Sequence, residues 1–180
     1  MRIMKKMLLV ALALALVFVV GGFLLPSTTH VERSVVIARP PASIFAMVNS
    51  FRRFNEWSPW HARDPKTVYT FEGPESGVGA SMAWSSARSD VGKGRQTIIE
   101  SDADHKVTMK LQFEGQGDAV ASFVLTPAAG AGTRVTWGFD VEHGNNLMSR
   151  WFGLMFDRMV GPDYQAGLAK LKTVVEAGTQ

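Results

Sequence analysis

The chain has 180 residues, 46% of them hydrophobic, which suits one domain with one core. No cysteine is present, which excludes disulfides, thiolate catalysis, thiol-based metal sites and a lipid-modified cysteine. The formal charge of +3 comes from Arg2, Lys5 and Lys6, since the other 16 basic residues equal the 16 acidic residues in number. The part of the chain after these three residues is therefore neutral, and we expect no nucleic-acid partner.

The first predicted element is an apolar segment, residues 7–25, without a charged side chain. As a helix with a rise of about 1.5 Å per residue it is about 28 Å long, close to the hydrocarbon thickness of a bilayer. The basic residues before it are expected to stay in the cytoplasm, which places the rest of the chain outside the cytoplasm, or in the periplasm of a bacterium. Val20-Gly21-Gly22 also offers a processing site for a signal sequence. Because the apolar run continues to Leu25, we favour an uncleaved single-pass anchor.

After a linker at residues 26–30, the sequence predicts a folded domain over residues 31–177. Its first element is a strand rich in β-branched residues, 31–38, which ends at a pair of prolines. A short helix follows, since proline suits the first helical position and apolar residues then recur at helical spacing. A second short helix is predicted over residues 52–57.

From residue 66 to residue 142 apolar and polar residues alternate, and glycine-rich turns interrupt the pattern. This alternation predicts a meander of about six antiparallel strands. Four strands have a clear apolar face, with the residues Val78, Ala80, Met82 and Trp84; Val107, Met109, Leu111 and Phe113; Ala119, Ala121, Phe123 and Leu125; Val135, Trp137, Phe139 and Val141. The opposite faces are polar, so one side of the sheet faces solvent and the other is covered.

The predicted cover is a long C-terminal helix that begins near Asn145, with Asn145 or Asn146 as its N-cap. Its apolar stripe is expected to face the sheet and consists of Met148, Trp151, Phe152, Met155 and Met159. Gly161-Pro162 is expected to interrupt this helix, because proline lacks the amide donor and clashes with the preceding turn. The helix then resumes with a second apolar set, Tyr164, Leu168, Leu171 and Val175.

The order of these elements resembles the START-like polyketide cyclase/dehydrase (SRPBCC) superfamily, which also contains the Bet v 1-like proteins. The stretches that carry the resemblance are residues 35–45, 57–60, 132–137 and 161–172. The resemblance implies an α+β helix-grip fold, in which a curved antiparallel sheet wraps a long C-terminal helix and leaves a cavity. It also implies binding of a hydrophobic small molecule or lipid, with enzymatic activity in some members only.

The candidate cavity-lining residues are large aromatic and methionine side chains: Trp57, Trp60, Met82, Trp84, Met109, Phe113, Trp137, Phe139, Trp151, Met155 and Met159. Aromatic rings supply apolar area, and methionine adapts to several ligand shapes. Core packing explains both residue types as well. Trp57 and Trp60 lie in a loop with a proline and are expected at the mouth of the cavity.

Acid–base chemistry would need titratable side chains that converge in the cavity. His61 and Glu100 are the two candidates for such a role, whereas His105 and His143 are expected at the surface. The sequence has no catalytic spacing, metal-ligand spacing, nucleotide-binding glycine loop or nucleophile elbow. We therefore assign no catalytic residue and expect no metal and no cofactor.

Three functions remain open at this point. The first is a membrane-anchored protein that binds a hydrophobic small molecule or lipid in the cavity. The second is a cyclase, dehydratase or hydrolase that acts in the same cavity and needs a buried carboxylate or histidine facing it. The third is a protein-interaction module with a solid core, in which Trp84, Trp137 and Trp151 contact one another. The sequence gives no indication of a protein partner.

Overall fold

A computed structural model describes residues 2–115 and 117–178 of the chain. The helices are α1 (Arg2–Leu24), α2 (Pro41–Val48), α3 (Pro59–Arg63), α4 (Leu147–Gly153) and α5 (Phe156–Ala177). The strands are β1 (Thr28–Ile37), β2 (Val68–Glu72), β3 (Ser81–Ser85), β4 (Lys93–Asp102), β5 (Lys106–Phe113), β6 (Gly117–Pro127) and β7 (Thr133–Glu142). Two short 3-10 helices lie at Phe51–Glu56 and Ala129–Ala131. The first strand begins earlier than predicted, so only Leu25, Pro26 and Ser27 separate it from α1.

The seven strands form one antiparallel sheet in the order β1-β7-β6-β5-β4-β3-β2. The inner face of this sheet is the face that packs against α5, and the alternation of buried and exposed residues along β6 and β7 follows the sequence pattern. The predicted helix-grip arrangement, a curved antiparallel sheet with a long C-terminal helix, is therefore confirmed.

The segment between β1 and β2 contains one more helical element than predicted. α2 begins with Pro41, and the predicted second helix is the 3-10 helix Phe51–Glu56. The additional helix is α3, which begins with Pro59 and is capped by the Ser58 hydroxyl, which accepts a hydrogen bond from the His61 amide. The proline-containing loop expected here is thus a short helix that brings Trp60 and His61 against the domain.

The C-terminal helical region differs from the prediction in the position of its break. Asn146 caps α4 as predicted, because its side chain accepts a hydrogen bond from the Ser149 amide at 3.1 Å. The break separates α4 from α5 at Leu154 and Met155, whereas Pro162 lies inside α5. Ion pairs hold α5 on both sides of this proline, and the partners are Arg33 with Asp157 and Arg63 with Asp163. These contacts to β1 and α3 help to keep the helix in place despite the donor that proline removes.

The apolar stripe predicted on the C-terminal helix does not face the sheet. Met148, Phe152, Met155 and Met159 are exposed, and Trp151 packs against α1. The residues that α5 buries against the sheet are the second apolar set, Tyr164, Leu168, Leu171 and Val175. The prediction was wrong because helical spacing identifies an apolar face but not the surface that this face meets.

α5 approaches the sheet closely at Gly167. A Cβ atom at this position would lie 2.7 Å from the Trp137 ring and 3.2 Å from Pro59. The C-terminal end of α5 is fixed to the end of β1, where the Ala38 amide donates to Glu176 Oε1 at 2.8 Å and Arg39 Nη2 donates to the Glu176 carbonyl at 2.8 Å. The main core therefore lies between α5 and the β1 and β7 side of the sheet.

Candidate functional site

The inner face beneath α5 is filled by a cluster of six aromatic side chains, which we call the aromatic core. Its members are Trp57, Trp60, Phe123, Trp137, Phe139 and Tyr164. Trp137 is central, since its ring stacks on Tyr164 with centroids 3.8 Å apart and on Phe123 with centroids 4.9 Å apart. Trp57 meets Trp137 edge-to-face at 5.3 Å. Such pairs gain contact energy beyond the area they bury.

The aromatic core changes the interpretation of four predicted cavity residues. The structure does bring Trp57, Trp60, Trp137 and Phe139 together, but as packed rings rather than as the walls of an open space. Trp57 is only 1% exposed, so its expected position at a cavity mouth is wrong. Trp60 is half-buried and stacks on Phe54. The two tryptophans are drawn inward because α3 folds the loop that carries them against the sheet.

The aromatic core contains polar atoms that have no protein partner. Within the residues that the structure describes, the buried Nε1 atoms of Trp57 and Trp137 donate no hydrogen bond. A buried donor without an acceptor carries a desolvation cost. Tyr164 brings a third polar group into this region, and burial raises the pKa of its hydroxyl, which therefore remains protonated.

The other part of the inner face is less covered, because α5 packs on β1 and β7 and not on the strands at the opposite edge. Five half-buried apolar side chains lie there, and we call them the open surface: Tyr69, Phe71, Trp84, Leu111 and Phe113. The strand register places them on one face, since Tyr69 is opposite Trp84 and Phe71 is opposite Met82. Gly94 lies between Trp84 and Phe113 in the same row.

Trp84 is held in a defined position on this open surface. Its ring lies across Gly94, where a Cβ atom would come within 2.6 Å of the ring, so this position needs a glycine. Its Nε1 donates to the Val91 carbonyl at 3.2 Å, and its ring meets Phe113 edge-to-face at 5.8 Å. An open groove of about 610 Å³ at this end of the sheet is lined mainly by residues of the opposite face, such as Ser85, Arg95 and Gln112, so it is not a cavity of the open surface. The contact surface for an apolar molecule is instead the row of partly exposed rings that includes Trp84 and Phe113.

A buried polar side chain lies beside the open surface. Gln96 is 5% exposed and occupies the inner-face row between Met82 and Leu111. We find no hydrogen bond from its side-chain amide within residues 2–115 and 117–178. The predicted cavity residues Met82 and Met109 are also buried on this face. Gln96 could not be identified from the apolar–polar alternation, because β4 has Gly94 and Gln96 at inner-face positions where the neighbouring strands have apolar residues.

The two titratable candidates lie on opposite sides of the sheet. His61 is next to the open surface, with its Nδ1 atom 3.5 Å from the Tyr69 hydroxyl, and burial raises the pKa of Tyr69. Glu100 is on the outer face, where its carboxylate contacts Lys106 Nζ at 2.8 Å and accepts a hydrogen bond from Thr108 at 2.7 Å. The expected cavity-facing role of Glu100 is therefore wrong. A bulge in β4 after Ile98 shifts the register there and contributes to this outward position.

His143 is buried rather than exposed, contrary to the prediction. Its ring nitrogens lie 2.7 Å from the Thr29 hydroxyl and 2.7 Å from the Ser149 hydroxyl. Burial lowers the pKa of His143, and the nearby Arg150 guanidinium lowers it further. His105 is exposed, as expected.

The three remaining predicted cavity residues lie outside the aromatic core and the open surface. Trp151 stacks on Phe18 of α1, and Met155 and Met159 are about half exposed. Aromatic contacts place Trp84, Trp137 and Trp151 in three different clusters, so the mutual contact expected for a solid-core interaction module is not seen.

Solved structures of the same fold cover most of the chain at low sequence identity. A protein from Thermobifida fusca has a TM-score of 0.61 at 16% identity, covering 84% of this chain and 97% of that protein. A protein from Chromobacterium violaceum has a TM-score of 0.55 at 15% identity, covering 83% of this chain and 99% of that protein. Ara h 8.0201 has a TM-score of 0.55 at 12% identity, covering 84% of this chain and 99% of its own. These likenesses establish the Bet v 1-like fold.

No curated protein matches the sequence. The family model described as polyketide cyclase / dehydrase and lipid transport matches residues 28–176. The matched region contains all seven strands and both the aromatic core and the open surface. The chain belongs to the polyketide cyclase / dehydrase and lipid transport family.

Proposed function

We propose that the protein is a membrane-anchored member of this family that binds a hydrophobic small molecule or lipid at the open surface. The observation that carries this proposal is the row of half-buried apolar side chains that α5 leaves partly uncovered, including Tyr69, Trp84 and Phe113. Concave apolar surfaces with a few polar groups are typical of small-molecule sites. The family description, which names lipid transport, supports the same class of ligand.

Burial of apolar surface provides the binding free energy in this proposal. Each methylene group that leaves water contributes about 0.8 kcal/mol, so a long apolar ligand needs few polar contacts. Gln96, beside the open surface, supplies a hydrogen-bonding group for a polar end of the ligand. Such groups orient a ligand more than they increase its affinity.

The anchor part of the proposal rests on α1. This helix has 23 residues, is apolar enough to cross a membrane and has one buried residue, Gly22. The basic residues at its start favour a cytoplasmic N-terminus and an extracytoplasmic domain. A cleaved signal sequence would have the same composition, so the intact mass of the membrane-extracted protein decides between the two. A mass that includes residues 1–25 supports the anchor, whereas a mass without them identifies a signal sequence.

Native mass spectrometry of the domain alone, residues 26–180, tests ligand binding. The anchor is omitted because an apolar helix would itself recruit lipid. Folding of this fragment is checked first by circular dichroism. We expect a discrete bound mass that organic extraction releases as an apolar compound. A clean mass of the free protein, together with no uptake of an apolar fluorescent probe, would contradict the proposal.

Substitutions on the open surface test the location of the site. Phe113→Ala removes the apolar contact between the Phe113 ring and the ligand. We expect it to weaken binding by about tenfold, the equivalent of about 1.4 kcal/mol. Val124→Ala is the matched control, because Val124 is exposed on β6 away from the inner face. Equal affinities of the two variants in a fluorescence titration would place the site elsewhere.

A second candidate function, an enzyme of the cyclase, dehydratase or hydrolase type, is favoured by one observation. His61 and Tyr69 lie side by side at the edge of the open surface, where a bound substrate would meet them. The domain is incubated with the extracted compound, and products are followed by mass spectrometry. Conversion that is lost in His61→Ala and Tyr69→Phe, with binding retained, would support the enzyme. An unchanged compound would leave the binding protein as the function.

A further inference from the structure

α4 packs directly against the last turns of the anchor helix. Trp151 Nε1 donates to the Phe18 carbonyl at 3.0 Å, and the two rings stack with centroids 5.9 Å apart. Gly21 permits this contact, since a Cβ atom there would lie 2.7 Å from the Trp151 ring. A Cβ atom at Gly22 would likewise lie 3.2 Å from the Leu147 side chain. The two glycines thus provide a flat surface on which α4 rests.

Arg150 fixes this arrangement. Its Nη1 atom donates to the carbonyls of Gly22, Phe23 and Leu25 at 3.4, 3.3 and 3.2 Å. The last carbonyls of a helix lack partners within the helix and lie at its negative end, so a guanidinium is favourable there. Its Nε and Nη2 atoms donate to the Gly144 carbonyl at 2.9 and 2.7 Å. The end of α1 is therefore tied to the loop before α4.

These contacts set the depth of α4 relative to a membrane that α1 spans. Phe18 lies about 10 Å along the helix axis before Leu25, where the apolar segment ends. A side chain that packs on Phe18 therefore lies at the level of the outer hydrocarbon core when the segment crosses the bilayer. Tryptophan, and arginine that reaches toward the headgroups, are typical of this boundary.

α4 and the start of α5 also expose a continuous apolar surface, which we call the apolar patch. It consists of Met148, Phe152, Leu154, Met155 and Met159. Met148 is 66% exposed and Leu154 is 62% exposed. Single exposed apolar side chains are ordinary on protein surfaces, but a contiguous set marks an interaction surface. Met148 and Phe152 are four residues apart in α4, and Met155 and Met159 are four residues apart at the start of α5, so each pair lies on one side of its helix.

We propose that the apolar patch lies in the membrane interface beside the anchor, so that α4 is an interfacial helix. The inference rests on the proposed function in one respect, that α1 spans the bilayer. Lipid is the occupant because Met148 and Phe152 of the patch lie on α4, the helix that packs on the lipid-embedded end of α1, where Phe23 and Leu24 are also exposed. Interfacial elements of this kind bury their apolar side about 5–10 Å into the boundary.

The sheet topology then directs the open surface toward the bilayer. The start of β1 and the end of β7 lie at the anchor end of the sheet, since Thr28 is opposite Glu142. The antiparallel register places the end of β5, the start of β4 and the end of β3 at this same end, and these positions carry Phe113 and Trp84. Phe113 and Trp84 therefore lie at the same end of the sheet as the anchor.

Because the chain has no cysteine, single cysteines report this geometry without background. The full chain is reconstituted into vesicles of phosphatidylcholine and phosphatidylglycerol, and an environment-sensitive fluorophore is attached to Phe152→Cys. Val17→Cys on α1 reports the anchor, and Val124→Cys on β6 is the aqueous control. We expect quenchers carried on lipid acyl chains to reduce the emission of the labels at positions 17 and 152 and to leave the label at 124 unchanged.

Each outcome separates the two proposals. Quenching at position 17 without quenching at position 152 would overturn the interfacial helix and leave the anchor intact. An unquenched label at position 17 would overturn both. Met148→Cys, at a more exposed position, repeats the test if Phe152→Cys does not fold. Disulfide cross-linking between two Phe152→Cys chains without lipid quenching would assign the patch to a contact between copies of this chain and would overturn the proposal.

Discussion

The aromatic core and the open surface occupy the same inner face, are both rich in aromatic residues and differ in what covers them. Beneath α5, Trp137 stacks on Tyr164 and is closed off from solvent. Toward β2, Phe113 and Trp84 have no helix from the C-terminal region above them and remain half-exposed. The same residue chemistry therefore supports stability in one region and, in our proposal, binds a ligand in the other. Substitutions in each region test whether the aromatic core contributes more to stability than the open surface does.

The largest expected effect is that of Trp137→Ala. Removal of a buried indole from a packed core typically costs about 3–5 kcal/mol of unfolding free energy. Phe113→Ala is the matched substitution on the open surface, and we expect it to cost less than about 2 kcal/mol because that side chain is already partly exposed. Urea denaturation of the domain, followed by circular dichroism, measures both values. Equal losses would show that the open surface is part of the core.

Gly167→Ala is expected to cause the next largest loss of unfolding free energy. The new methyl group meets the Trp137 ring and Pro59, neither of which can move freely, and such overpacking costs about 1–3 kcal/mol. Gly161→Ala is the control, because the methyl group there meets the flexible end of Arg33. Both substitutions share the gain of about 1 kcal/mol from replacing a helical glycine. A smaller loss for Gly167→Ala than for Gly161→Ala would contradict the close approach of α5 to the sheet.

Gln96→Leu is expected to change stability by no more than about 1 kcal/mol, because the Gln96 amide makes no hydrogen bond to the described residues and is not fully enclosed. The same variant is expected to bind a ligand with a polar end more weakly, while binding of a purely apolar probe is retained. Parallel fluorescence titrations measure the two affinities. A strong loss of stability in Gln96→Leu would instead make the amide a structural group.

The smallest effect concerns pH and His143. Burial and Arg150 lower the pKa of His143 in the folded protein, whereas the unfolded chain keeps the ordinary value of 6.5. Between these two pKa values the unfolded chain therefore binds a proton more readily than the folded protein. The stability that neutral His143 provides is therefore present above pH 6.5 and is lost as the pH falls through the lowered pKa. His30 acts in the opposite direction, since its hydrogen bond to Asp140 raises its pKa, but it is exposed and contributes little.

The difference between wild type and His143→Gln isolates the buried histidine, because His30 is present in both proteins. We expect denaturation midpoints at pH 7.5 and pH 5.5 to differ more in wild type than in the variant. Midpoints that shift by the same amount in both proteins would show that His143 does not change its protonation in this range.

The strand pattern of this chain was predictable because apolar residues recur at every second position along the inner face of β5, β6 and β7, as Met109, Phe123 and Trp137 do. The position of the helix break was not. Gly161-Pro162 is a strong local signal, yet α5 continues across it and buries Tyr164, Leu168 and Leu171 against the sheet. Interactions between residues distant in sequence overrode a local preference.

The candidate site was predictable only as a set of residues on one face. Phe113 and Trp137 have the same alternation, and nothing local to either one indicates that α5 covers Trp137 alone. Met155 and Met159 have the spacing of a core-facing stripe, but both are about half exposed and, in our proposal, face lipid. His143 is buried because α4 folds back over the end of β7 and brings Ser149 to the imidazole.

Intermolecular nuclear Overhauser effects between the isotope-labelled domain and its extracted apolar ligand test the central claim most directly. We expect contacts from the ligand to the methyl groups of Leu111 and to the rings of Tyr69 and Phe113. Contacts confined to Trp137 and Tyr164, which would require the aromatic core to open, would contradict the account. So would a ligand that contacts only the outer face of the sheet.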